Sequence, residues 1–422
     1  MRILHTSDLH LGRSFHGRSL FDDQEIIHRE LIRVCQDRGV DAVLVAGDVY
    51  DQASPRTEVI DQFSRLLTEL ARRGVQVVLT SGNHDSAARL GFASGILETA
   101  GVHLRTRLED CARPVELSED VLVYGIPYLD PRASASRLDV EPTHGEVLRA
   151  ALDAAREDFE RRPHPRAVVM AHCFATGAEP TDSERILASG NLGAVPASLF
   201  EGFDYAALGH LHGRQRLREA VRYSGSPLRF SFSETRQTKG YWLVDVDAEG
   251  VSVEGGRWEH QLPLAQLRGS LEELLQDPAH AWAEESLCQV TLTDAERPAH
   301  PMERLRARFP QTLELAFSGL RTQTEVSYSR RMAAARTPGE ACEAFYDRVR
   351  GRMLDEEEQT VLEAAVAEAV SLEAGEHEGR EDASAAGISG RGDPSGPAEG
   401  SSGRGEPTGP AAARPSDEEG AA

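Results

Sequence analysis

Five times in the first 212 residues, a short apolar run ends in a polar cluster. Ile3-Leu4 leads to Ser7-Asp8-Leu9-His10, residues 42–46 to Gly47-Asp48, residues 75–79 to Gly82-Asn83-His84-Asp85, residues 167–171 to His172, and residues 205–208 to Gly209-His210-Leu211-His212. Longer amphipathic stretches, residues 21–38 and 57–73, separate the first three. Runs that are apolar throughout suit strands buried on both faces, and apolar positions at helical spacing suit helices that cover a sheet. The β-α-β-α-β rhythm therefore predicts an α/β layered domain whose polar motifs sit at the carboxyl ends of strands, where the active sites of such sheets collect. Strand-like pieces from residue 214 to 259 predict that this domain closes on antiparallel strands near residue 260.

A chain of 422 residues has room for one large domain and one or two smaller ones. From residue 263 the pattern changes to helix (270–275), strand (287–292), helix (302–309) and strand (312–317), a small α+β unit over 263–331. Thr337-Pro338-Gly339-Glu340 reads as a helix start and opens a helical hairpin over 338–372, with Phe345, Val349 and Met353, then Val361, Leu362 and Val366, at helical spacing. Such a hairpin can pack on its own domain or dock a partner. Residues 373–422 have a single large aliphatic side chain, Ile388, and are predicted to be a disordered acidic tail.

The formal charge of -23 is concentrated at this end: residues 355–422 hold seventeen acids against four arginines, which leaves -10 for the rest. Net charge therefore does not exclude a nucleic-acid substrate. Lys239 is the only lysine, a bias read as genomic, and arginine abundance is no evidence of phosphate binding. Five scattered cysteines without a CxxC give neither a disulfide framework nor a zinc ribbon. With no signal-peptide pattern and no run of 18 apolar residues, a soluble cytoplasmic protein is expected, with no membrane contact.

The strand ends together supply Asp8, His10, Asp48, Asn83, His172, His210 and His212, seven oxygen or imidazole donors of borderline hardness. Any one motif alone reads as a turn, a cap or a core histidine. Seven donors suit two divalent ions sharing one carboxylate, which could clamp a phosphate.

These motifs resemble the calcineurin-like metallophosphoesterase superfamily, which implies a β-sandwich flanked by helices around a two-metal centre. HTSDLHLGR, VAGDVYD, SGNHDS, the segment 182–185, ALGHLH and SGSPLRFSFSE resemble the SbcD nucleases in particular, bacterial relatives of the archaeal and eukaryotic double-strand-break repair nucleases. The resemblance implies a nuclease domain (1–262), a capping domain that helps orient DNA (263–331), and a hairpin (338–372) that binds the SbcC ATPase at the base of its coiled coils. It implies a manganese-dependent, nucleoid-associated enzyme of DNA repair, recombination and replication. The activities implied are a 3'-5' exonuclease on double-strand ends and an endonuclease on hairpins and single strands.

Carried over by position, Asp8, His10 and His212 would hold one ion, Asn83, His172 and His210 the other, and Asp48 would bridge them. His84 would face the phosphate and leaving oxygen, oriented by the carboxylate of Asp51, which departs from the histidine common in archaeal and eukaryotic members. Asp85 reads as a cap for the helix that follows. A homodimer through residues 57–73 and 86–98 is implied, with Ile60, Phe63, Leu90 and Phe92 as candidates that read equally well as core. Two readings compete. One is a phosphomonoesterase or cyclic-nucleotide phosphodiesterase with the same centre; against it, Asp51 is followed by Gln52-Ala53, not by the Asp-Arg-Gly turn of the protein phosphatases. The other is an inactive scaffold, opposed by the complete donor set.

Overall fold

Successive residues of the first strand serve two cores: Ile3 packs toward one and Leu4 toward another, neither with any exposed surface. This alternation places the strand in a layer covered on both faces. The computed structural model describes residues 1–162, 166–182, 184, 193–318, 337–350, 354–355 and 357–368. The acidic tail 373–422, the linker 319–336, the hairpin beyond 368, and Ser183 and Arg185 lie outside the described residues.

In chain order the strands of the large unit are β1 (Arg2–Thr6), the hairpin β2 (Ser14–Phe15) and β3 (Arg18–Ser19), β4 (Ala42–Ala46), β5 (Gln76–Thr80), β6 (Val102–Arg105), β7 (Val115–Ser118), β8 (Val121–Ile126), β9 (Arg166–His172), β10 (Tyr205–Gly209), β11 (Gln215–Arg216), β12 (Val221–Tyr223), β13 (Gly240–Val246) and β14 (Val251–Arg257). They form two six-stranded sheets, ordered β14-β13-β1-β4-β5-β6 and β11-β12-β10-β9-β8-β7. β1, β4, β5 and β6 run parallel, and β13 and β14 close that sheet antiparallel, as expected. In the second sheet β12 pairs parallel with β10, so only β11 and β7 are antiparallel.

Ile3, Leu44, Ala46 and Val78 of one sheet pack against Val123, Val168, Met170 and Ala207 of the other. Outside the first sheet lie α1 (Phe21–Arg38) and α2 (Thr57–Arg72), with Ile27, Leu31, Phe63 and Leu66 in the core; the short α3 (Ala87–Leu90) and α4 (Ser94–Glu98) follow β5. After α5 (Pro131–Leu138), α6 (His144–Glu160) covers the second sheet with Leu148, Ala151, Leu152 and Ala155. The chain thus has the β-sandwich flanked by helices that the motifs implied.

β15 (Leu264–Gly269), β16 (Leu287–Leu292) and β17 (Thr312–Phe317) make a separate parallel sheet with its own core, covered by helices Leu271–Gln276 and Pro301–Arg308. Ser270 and Glu273 form a capping box that starts the first of these helices.

The chain divides into two compact units, Met1–Arg321 and Thr322–Ala422. In the second, helix Pro338–Arg350 is followed by helical residues 357–368, which open on a reciprocal pair, Glu358 N to Asp355 Oδ1 and Asp355 N to Glu358 Oε2. Tyr346 Oη donates to Glu358 across the pair (2.6 Å), while Phe345 and Val361 are exposed. Among the described residues no helix is long and apolar enough to cross a membrane.

Candidate metal centre

The carboxyl ends of β1, β4 and β5 from one sheet meet those of β9 and β10 from the other, and the backbone there is bent hard. Asp8 (φ 52°), His10 (φ 42°), Asp48 (φ 47°) and His210 (φ 108°) all occupy the left-handed region, at on the order of 1–3 kcal/mol each. Hydrogen bonds between the turns offset this cost: Asp8 N donates to Gly47 O, His10 N to Asp48 O, and His210 N to Asp8 Oδ1, at 3.0–3.1 Å. The crowding excludes side chains at two glycines. A Cβ on Gly47 would lie 2.2 Å from His172 Nδ1, and one on Gly82 would lie 2.1 Å from Asp48 Oδ1.

All seven predicted donors converge here, and six of them are buried. Asp8, His10 and His212 present ligand atoms within 4.8 Å of one another, as do Asp8, Asp48 and His172, and His10, Asp48 and His84. Asp48 belongs to two of these groups. Asn83 Oδ1 lies 3.1 Å from His172 Nε2 and 3.3 Å from His210 Nδ1. His10 Nε2 and His212 Nε2 face each other at 3.2 Å, a geometry in which one hydrogen at most can lie between them.

The electrostatics are those of a centre that calls for cations. Burial, ahead of the neighbouring Asp48 charge, pushes Asp8 up to about 6. Burial also pushes His10 and His210 down to about 3, so both rings are neutral, lone-pair donors. His172 Nδ1 donates to the Ala46 carbonyl (2.9 Å), which turns Nε2 toward Asp48 Oδ2 at 3.3 Å. Burial opposes a charged ring there, but Asp48 outweighs it and raises His172 to about 9. His210 Nε2 is buried without a hydrogen-bond partner among the described residues, and His10 Nδ1 has only the Asp51 carboxylate at 3.4 Å. Convergent carboxylates, neutral imidazoles and the unpartnered His210 Nε2 fit divalent metal ions.

The calcineurin-like phosphoesterase family matches residues 1–214, a span containing all seven donors. The SbcD component of the SbcCD nuclease of Staphylococcus saprophyticus is 30% identical over 322 residues, which is 75% of this chain and 84% of that protein. Its counterpart from Staphylococcus epidermidis is 30% identical over 328 residues, 75% of this chain and 85% of its own. The chain belongs to the SbcD family of calcineurin-like phosphoesterases. A further family, described as the type 5 capsule protein repressor C-terminal domain, matches residues 261–350 of this SbcD-family chain.

Three side chains depart from expectation. His84 reaches the centre, its ring 4.7 Å from that of His10, but Nδ1 donates to the Asp51 backbone carbonyl (2.9 Å) and not to the Asp51 carboxylate. That carboxylate accepts from Arg13 Nη1 (3.0 Å) and lies 3.4 Å from His10 Nδ1. Asp85 caps nothing: Ser86 stands at the helix start, without a side-chain cap. The Asp85 carboxylate instead accepts from the N–H groups of Gly82 (2.9 Å), Val49 (3.1 Å) and Tyr50 (2.9 Å), tying the turn after β4 to the turn after β5.

Sequence reading missed Arg13, whose guanidinium also lies over Phe230 (4.7 Å), and the buried acids Glu184 and Glu234 beside His212. Each of these lies in a motif stretch quoted above, HTSDLHLGR, residues 182–185 and SGSPLRFSFSE, but the motifs alone gave them no role; Lys239, partner of Glu234, stood out only as the single lysine.

Proposed function

We propose that this chain is the manganese-dependent nuclease component of an SbcCD complex. It would hydrolyse DNA phosphodiesters at double-strand ends in the 3'-5' direction, and hairpins and single strands internally, in DNA repair, recombination and replication. The observation that carries the reading is the convergence of seven metal-type donors from five strand ends at one buried point, with His84 beside them. The staphylococcal relatives are named as components of the SbcCD nuclease, which supports DNA over a small phosphoester.

In this reading Asp8, His10 and His212 would hold one ion, Asn83, His172 and His210 would hold the other, and Asp48 would serve both. Bound there, the ions supply positive charge for the phosphate and lower the pKa of an attacking water. His84 does work of its own. With Nδ1–H committed to the Asp51 carbonyl, Nε2 can donate only when the ring is charged, so the imidazolium is the form that protonates the leaving oxygen. Asp51 acts on the centre through Arg13 and His10, as a positioning residue.

The sheet β15–β17 and its helices serve as the capping domain that orients DNA, and residues 338–372 dock the SbcC ATPase. A homodimer forms through the α2–α4 region, where Ile60, Phe92 and Ile96 are exposed while Phe63 and Leu90 are buried.

The test is incubation of the purified protein with manganese and a hairpin-ended duplex, beside a phosphomonoester. Cleavage of the duplex at its ends and hairpin is expected; hydrolysis of the monoester alone would replace this reading with that of a phosphomonoesterase.

A further inference from the structure

Lys239 is the only lysine in a chain that otherwise uses arginine for every permanent positive side chain. It is also 1% exposed. Its ammonium donates to the His212 carbonyl (2.6 Å), Gln237 Oε1 (3.0 Å) and Ser226 Oγ (3.1 Å), and pairs with Glu234 Oε2 at 2.5 Å. An ammonium is compact and points its hydrogens in three directions, whereas a guanidinium is a wide planar fork. Four oxygens crowd around the Lys239 nitrogen, one more than its three hydrogens, a close-set cluster that suits a compact ammonium better than a wide fork.

Glu234 has no exposed surface, so its charge needs this partner. Its other oxygen, Oε1, faces His212 Nδ1 at 3.8 Å, and Glu184 Oε1 faces the same nitrogen at 3.6 Å. Across the ring, His212 Nε2 faces His10 Nε2 at 3.2 Å. One edge of His212 therefore looks at the metal donors and the other at two buried carboxylates, while its carbonyl is held by Lys239. Carboxylates behind a ligating imidazole fix the hydrogen on the far nitrogen and leave the near one free to bind.

We infer that Glu234 and Lys239 are positioning residues for His212: the carboxylate orients the ring so that Nε2 meets the metal, and the ammonium anchors both the carboxylate and the His212 backbone. The inference rests on the metal-centre reading above and adds to it two buried residues that neither ligate an ion nor touch substrate.

Manganese titration of the full-length protein by calorimetry tests it, with Glu234→Gln and Ser226→Ala beside wild type. Thermal unfolding and kcat and KM on bis(p-nitrophenyl) phosphate are measured in parallel. Glu234→Gln keeps the volume and removes the charge. One manganese equivalent should bind about 10- to 100-fold more weakly while the other is unchanged. The apparent kcat should fall at low manganese and recover in excess, with KM for the diester unmoved. Ser226→Ala, which removes one ammonium partner and spares Glu234, should weaken the same equivalent less, and decides the matter should Glu234→Gln not fold. A folded variant that binds both equivalents like wild type would reduce the pair to core structure. Wild-type protein that binds no manganese would instead overturn the metal-centre reading itself.

Discussion

Asp85 accepts from three backbone N–H groups, two of them 35 and 36 residues upstream, and so fixes the turn that carries Asp48 against the turn that carries Asn83 and His84. Its local sequence, followed by Ser86-Ala87-Ala88, speaks only for a cap, because the groups it binds are brought there by the pairing of β4 with β5. Asp85→Asn puts an amide donor against N–H donors and should cost about 1–3 kcal/mol in urea unfolding. It should also weaken manganese binding, because Asp48 shifts with its turn. Unchanged manganese affinity in the titration would return Asp85 to a local role. The donor residues themselves were legible, since their types and their places after apolar runs are properties of sequence. Asp51 was legible as a neighbour of His84 but not in its manner of contact, since carbonyl and carboxylate belong to the same residue and only the backbone path decides which one turns inward.

At the scale of elements, β4, β5, β9 and β10 were readable because both their faces are buried, which forces an unbroken apolar run. β15 was not: LAQLRG is buried at only four of six positions, and its polar residues hide it among loop residues. Helix α1 holds a charge-sensitive group away from the centre, shifted in the same direction as His10 and His210. His28 is buried, its Nε2 has no hydrogen-bond partner among the described residues, and burial pushes its pKa down to about 4, from about 6.5 in an unfolded chain. Unfolding therefore takes up a proton between these two values, so the contribution is complete above pH 6.5 and is lost as pH falls toward 4. The loss is on the order of 3 kcal/mol. His28→Leu should flatten the stability curve over that window, as read by urea unfolding at a series of pH values. An unchanged slope would mean that the folded ring accepts its proton without penalty.

At the scale of the whole molecule, the apolar side chains left uncovered point to association. Phe92 is 80% exposed and Ile96 74% exposed, close together in the α3–α4 segment, while the neighbouring candidates Phe63 and Leu90 are spent in the core. Sequence could not divide the candidates Ile60, Phe63, Leu90 and Phe92 into core and interface, and did not single out Ile96, because a core face and an interface face both require apolar residues at helical spacing. Large apolar side chains left in water cost free energy that burial against a second copy recovers, at about 25 cal/mol for each Å² covered. If the proposed homodimer forms there, the wild-type chain should sediment as a dimer and the double variant Phe92→Glu, Ile96→Glu as a monomer. Its hydrolysis of bis(p-nitrophenyl) phosphate should be unchanged, since neither residue is among the donors around Asp48. Cleavage of duplex ends should fall if two copies must grip one DNA. A wild-type chain that sediments as a monomer at tens of micromolar would remove the homodimer from the proposal, and the exposed pair would then need a different partner.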